Sequence, residues 1–166
     1  SAVHIRSDVE RKRRAGLREL APSHSRLGED LYSAEASAAL YGELARAAED
    51  VLSGGITVIV DATFLERASR ARFAELAARL GVPVRLLQCE APEPLLRARI
   101  AERSRAKRDP SEADLGVLEW QLGRMEAPGA DEGIDVIPVD TVRPDALEWA
   151  LRDIGSFPPR PSDQSA

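Results

Sequence analysis

Four short apolar runs, at residues 2–6, 56–60, 84–89 and 134–139, constrain the fold more than any other feature of the sequence. Each is rich in Val, Ile or Leu and lacks strict alternation with polar residues, the pattern of strands covered on both faces of a parallel sheet. Helical patterns separate them. Residues 33–53 carry Leu40, Leu44, Ala47, Ala48, Val51 and Leu52 at helical spacing and stop at Gly54-Gly55. Residues 66–80 repeat the logic with Phe73, Leu76, Ala77 and Leu80, closed by Gly81 and Pro83. Pro94 can open a third helix with Leu95, Leu96 and Ile100 apolar, and Ser111 to Asp114 reads as a capping-box start for a fourth, continuing through Val117, Leu118, Leu122 and Met125. A last helix begins near Pro144 and uses Leu147, Ala150, Leu151 and Ile154. Strands alternating with helices predict a parallel α/β fold with right-handed crossovers, in one domain over residues 1–155. Residues 156–166, with three prolines among polar residues, read as a disordered tail.

The bulk numbers fit a soluble globular domain: 166 residues, 43% apolar, 31% charged and a net charge of −5, which argues against nonspecific nucleic-acid binding. The one cysteine, Cys89, cannot form an internal disulfide or a metal cluster, so a reducing cytoplasmic setting is expected. Arginines from Arg6 to Arg14 interrupt any signal-like apolar stretch, and no segment approaches the ~18 apolar residues of a membrane span.

Chemistry is concentrated where strands end. In the stretch VHIRSDVERKR, residues 3–13, Asp8 sits where a strand gives way to a helix, with Arg11 one turn later. In open parallel sheets, ligands bind in the crevice beyond the carboxyl ends of the strands. A second acidic residue, Asp61 in VIVDATF, ends another strand of the same expected sheet, so both carboxylates should point into one crevice. A lone Asp at a strand end is also a good cap for the next helix or turn. Arg99 and Arg103 are spaced i, i+4 and share a helix face, with Arg105 and Arg108 beyond them. Residues 92–125 thus read either as a solvated, salt-bridged helical hairpin or as a mobile lid carrying arginines over a phosphate site, with its joint at 103–110. His4 reads as a packed strand residue, His24 as a loop residue, and Trp120 and Trp149 as packing residues.

Taken in order, HIRSDVERKR, VIVDATFLERASR, QCEAPEPLLRARIAERSR and DPSEAD resemble the P-loop small-molecule and nucleic-acid kinases. The resemblance is to the bacterial ATP-binding kinase-like domain often fused behind an aminoglycoside-phosphotransferase-like domain, and more distantly to polynucleotide and zeta-toxin-like kinases. It covers nearly all of residues 2–154. It implies a P-loop kinase fold, with helices on both faces of the parallel sheet and a helical lid at about 92–125. By the same resemblance Asp8 would be the base for an acceptor hydroxyl, and Arg11 a contact to substrate phosphate. Asp61 would hold Mg²⁺ through water, Thr63 would be the supporting hydroxyl, and Arg99 and Arg103 would embrace the donor phosphates. The loop at 140–144 would lie near adenine. ATP and Mg²⁺ are the cofactors implied for a complete domain.

The G-x-x-x-x-G-K-[ST] loop of such kinases does not occur in this sequence. Of its 23 basic residues only Lys12 and Lys107 are lysines, and neither comes after the required glycines. The expectation is therefore a kinase domain without its first strand, phosphate loop and the helix after it. By the resemblance that strand is central, so its loss should leave a gap in the sheet, and partner pairing or marginal stability is expected rather than closure. The function expected is that of an ATP-dependent phosphotransferase lineage acting on a hydroxyl of a small molecule or nucleic-acid end, inactive as this fragment. The alternative is a non-catalytic binding or interaction module of the same descent. A small-molecule acceptor is favoured over nucleic acid because the chain is acidic and only 4% aromatic. Expected partners are a missing N-terminal segment or a fused phosphotransferase-like domain, and no membrane.

Overall fold

The structure, a computed structural model, describes residues 1–23, 30–106 and 109–155. The tail expected at 156–166, together with His24, Lys107 and Arg108, lies outside the described residues. The first apolar run forms β1 (Ala2–Arg6), and the chain passes at once into α1 (Ser7–Arg14). Acidic residues in the first turn of α1 and basic ones in its last complement the helix dipole.

A 3-10 turn at Asp30–Tyr32 leads to α2 (Ala34–Ser53), whose first turn is capped by the Ser33 Oγ accepting from the Ala36 N–H at 3.1 Å. Ser33→Ala removes that acceptor and is expected to cost about 1 kcal/mol in urea denaturation. Leu40, Leu44 and Ala48, one turn apart, are buried on the inner face of α2, and Leu40 and Leu44 form a core with Ile5 of β1. Val58 and Val60 of β2 (Thr57–Asp61) and Phe73 of α3 (Arg67–Leu80) pack against that core. Gly81 ends α3 with φ +62°, a left-handed cap that a side chain would strain. Then come β3 (Arg85–Glu90), α4 (Glu93–Ala106), α5 (Leu115–Arg124), β4 (Asp135–Asp140) and α6 (Ala146–Gly155). A second core joins Ile137 and Val139 of β4 to Ala150 of α6, with Trp149 and Ile154 against it.

The expected α/β architecture holds, with every strand pair parallel. The sheet, however, is divided: β1 pairs with β2 from Ala2↔Thr57 to Arg6↔Asp61, and β3 pairs with β4 from Arg85↔Asp135 to Glu90↔Asp140. Among the described residues no ladder joins the two pairs. The division falls between β2 and β3, so the strands have not closed up into one sheet. Partial burial first and the Asp61 charge second push the Cys89 thiol up.

The strands are not wholly covered by helices, however: Ile59 of β2 remains 51% exposed and Leu87 of β3 37%. α6 also differs from its reading, since it turns Ala146, Trp149, Ala150 and Ile154 toward β4. Leu147 is consequently left 71% exposed, and Leu151, Leu122 and Met125 are exposed as well. α5 starts later than the capping-box reading placed it. Asp114 is its cap, accepting from the Val117 N–H at 2.9 Å, while the Ser111 N–H donates to Asp109. Trp149 packs as expected, but Trp120 is exposed beneath the Arg124 guanidinium, 4.9 Å from its ring centre.

Candidate active site

Parallel pairing in register places Arg6 and Asp61 side by side at the carboxyl end of the β1–β2 pair, and Asp8 comes two residues later in the first turn of α1. The two carboxylates singled out in the sequence therefore share one end of one sheet. The Asp61 Oδ2 accepts from the Arg6 Nε at 3.3 Å and lies 3.4 Å from the His4 Nε2. His4 is thus not a packed residue. It sits two positions before Arg6 on the same side of β1, is about half exposed, and reaches Asp61 across the pair. Arg6 also reaches out of the sheet, its other nitrogen donating to Asp109 at 3.4 Å.

Arg11 is committed to its own chain. Its guanidinium donates to the Leu31 carbonyl at 2.5 Å and stacks 4.8 Å from the centre of the Tyr32 ring, while its Nε is buried without a hydrogen-bond partner among the described residues. Tyr32 stands close to the candidate base. Burial foremost, then the charges of Glu112 and Asp8, raise its phenol above the usual tyrosine range.

Sequence patterning missed Lys12, which is buried on α1 with its ammonium 3.2 Å from Glu112. Burial pushes the Glu112 carboxyl up, but hydrogen bonds from Ser23 and the Lys12 charge outweigh it and leave the group below its ordinary value. A single Lys among many arginines gives no local signal of a partner a hundred residues away, and Glu112 was absorbed into the capping-box reading.

The loop after β2 is held with equal firmness. Thr63 lies 3.2 Å from the Tyr41 hydroxyl, which also accepts from the Phe64 N–H at 3.1 Å. Phe64 has φ +45°, a left-handed conformation that costs a bulky residue free energy, and its ring is edge-on to Tyr41 and Phe73 at 5.6 and 5.1 Å. The Arg70 NH1 donates to the carbonyls of Phe64 and Leu65 at 2.9 and 3.1 Å, and its other nitrogens grip Glu132 at 2.7 and 2.8 Å. Arg70 was indistinguishable in the sequence from the other arginines, yet it is 2% exposed.

The lid arginines point elsewhere in this structure. Arg99 donates to the Thr141 hydroxyl and carbonyl at 2.7 and 2.9 Å, and Arg103 donates to the Ala113 carbonyl at 3.2 Å. Neither hydrogen-bonds Asp8 or Asp61. No group of three His, Cys, Asp or Glu side chains that could hold a metal exists among the described residues. Asp61 therefore does not build a metal cage with its neighbours. It could serve Mg²⁺ only as one oxygen ligand among waters and phosphate oxygens, once Arg6 and His4 give way.

A protein-family model described as an AAA domain matches residues 1–128, well over half of the 166-residue chain. The chain belongs to this AAA-domain family. Its lineage is that of the nucleotide-binding, P-loop kinase-like domains, which generally bind a nucleotide and Mg²⁺. The matched span of the AAA domain runs from β1 through α5 and so takes in Asp8, Arg11, Asp61, Thr63, Arg99 and Arg103. No curated protein shows significant sequence similarity to the chain. No helix among the described residues is long and apolar enough to cross a membrane.

Proposed function

We propose that these residues are the acceptor side and lid of an ATP-dependent phosphotransferase whose substrate is a small molecule carrying a hydroxyl group. The observation that carries this reading is the shared carboxyl end of β1 and β2, where Asp61 ends one strand and Asp8 opens the helix after the other. A hydroxyl is a weak nucleophile near neutral pH, and a carboxylate in hydrogen-bond reach both orients it and takes its proton as the new bond forms. In this reading Asp8 performs that task. ATP would supply the phosphoryl group and Mg²⁺ would neutralise developing charge. Asp61 would provide one oxygen toward the metal, Thr63 would keep the loop beside Asp61 in place, and Arg99 with Arg103 would swing from Thr141 and Ala113 to the donor phosphates. Arg11, tied to Leu31 and Tyr32, would contact an anionic acceptor only after releasing that carbonyl. The small-molecule preference rests on the net charge of −5 and the 4% aromatic content, and the cytoplasmic setting on the single cysteine.

A second reading, an interaction module of kinase descent, is favoured by Arg11, Arg99 and Arg103 each donating to a carbonyl of their own chain. Calorimetric titration with MgATP separates the two. Residues 1–166 alone are expected to give no saturable binding. The same chain preceded by a strand, a phosphate loop and a helix is expected to bind ATP saturably. Failure of the extended chain to bind would overturn the phosphotransferase reading in favour of the interaction module, whereas saturable binding to 1–166 alone would move the nucleotide site away from any phosphate loop.

A further inference from the structure

The segment 109–114 between α4 and α5 is fastened to the beginning of the chain by buried or half-buried contacts. Lys12 on α1 has a side chain only 4% exposed, and its ammonium meets Glu112 at 3.2 Å. The Glu112 carboxylate also accepts from the Ser23 N–H at 2.8 Å and from the Ser23 hydroxyl. From the other side Arg103 of α4 donates to the Ala113 carbonyl at 3.2 Å, and Arg6 at the end of β1 donates to Asp109. A burying environment penalises an unpaired ammonium or carboxylate heavily, so each member of this set holds the others in place.

We infer that Lys12, Glu112 and Ser23 form a clasp that fixes segment 109–114 on α1 and so sets where the lid helix α4 stands relative to Asp8. Lys12 lies one helical turn beyond Asp8 on the same short helix, and Glu112 is next to the residue whose carbonyl holds Arg103. The path from candidate base to lid arginine thus runs Asp8, α1, Lys12, Glu112, Ala113, Arg103. Lys12 and Glu112 are positioning residues in this scheme: neither touches the reacting atoms. Movement of Arg99 and Arg103 toward a donor would then be a swing of α4 that releases Thr141 and Ala113 while segment 109–114 itself stays seated on α1. This inference rests on the phosphotransferase reading only for its use of Asp8 and the lid. The clasp is a property of the chain as it stands.

Amide hydrogen exchange on the full chain tests it without nucleotide, so a failed clasp and a failed ATP-binding experiment are distinguishable. The Ser23 amide is bonded to Glu112 and reports on the clasp directly. Lys12→Met and Glu112→Ala are each expected to speed exchange of the Ser23 amide and of amides 111–114 by at least about tenfold, with the α2 amides around Leu44 unchanged. The double variant is expected to exchange no faster than either single one, and Lys12→Arg is expected to restore slow exchange. If Lys12→Met does not fold, Glu112→Asp, which shortens the reach to Lys12 and Ser23, is expected to loosen the same amides. Unchanged exchange at Ser23 and 111–114, or acceleration spread evenly through α2 and β4, would overturn the clasp.

Discussion

Replacing Glu132 with Ala is expected to lower the unfolding free energy by about 3–5 kcal/mol, because the change leaves the buried Arg70 guanidinium without its counter-charge. Arg70 is 2% exposed and Glu132 only 3% in their side chains, and two nitrogens of one meet both oxygens of the other. Such a loss is a large part of the roughly 5–15 kcal/mol that holds a domain together. The damage should also reach the loop after Asp61, since the Phe64 and Leu65 carbonyls depend on the same guanidinium and Phe64 is held at a positive φ. Urea denaturation at neutral pH gives the magnitude, and Arg70→Met should match it. The double change Arg70→Met/Glu132→Leu should recover only the part of the loss due to an unpaired buried charge, because the Phe64 and Leu65 carbonyls and the Gly129 N–H still lose their partners.

The same pair fixes an acid limit. Hydrogen bonds from Arg70 first, then from the Gly129 N–H, hold the Glu132 carboxyl down to about 2, against about 4.3 for a free glutamate. A group whose folded value is depressed contributes its stability in full above the unfolded value and loses it as pH falls toward the folded one. Stability should therefore fall between about pH 4.3 and pH 2 in the parent chain. In Glu132→Ala this contribution to the slope should vanish. An acid transition equally steep in both chains would remove Glu132 from the account.

The order of elements was legible because local chemistry determines it. Val and Ile runs make strands, Leu40, Leu44 and Ala48 one turn apart make a buried helix face, and Gly81 marks a left-handed end. Asp8 and Asp61 were placed at strand ends by the same local reading, and parallel pairing brings those ends together. The features that escaped the sequence depend on partners far along the chain. Arg70 meets Glu132 and Lys12 meets Glu112 through the tertiary fold, and nothing in their neighbours distinguishes them from solvated charges. Exposure of His4, Ile59 and Leu147 depends on how the elements pack, for Leu147 on the side that α6 turns toward β4. Such packing cannot be read from periodicity within one element.

In the chain extended with a phosphate loop, Asp8→Asn is expected to reduce the rate of phosphoryl transfer by about 10²–10⁴ while leaving ATP affinity within about twofold, a loss of roughly 2.7–5.5 kcal/mol from the barrier alone. Asn preserves the size of the side chain and one acceptor oxygen, so it can still orient a hydroxyl, but it cannot take the proton. Position supports placing the effect on chemistry rather than donor binding, for Asp8 opens α1 at the end of β1 whereas the lid arginines sit on α4. An internal control is available in Tyr32, whose phenol is raised first by burial and then by Glu112 and Asp8. Removing the Asp8 charge should let Tyr32 titrate at lower pH by ultraviolet absorbance, showing that the substitution acts in a folded site. A variant that lowers ATP affinity as much as it lowers the transfer rate would deny Asp8 the role of base. Loss of transfer with an unmoved Tyr32 titration would mean that Asp8 does not face the Tyr32 side of the crevice in the working domain.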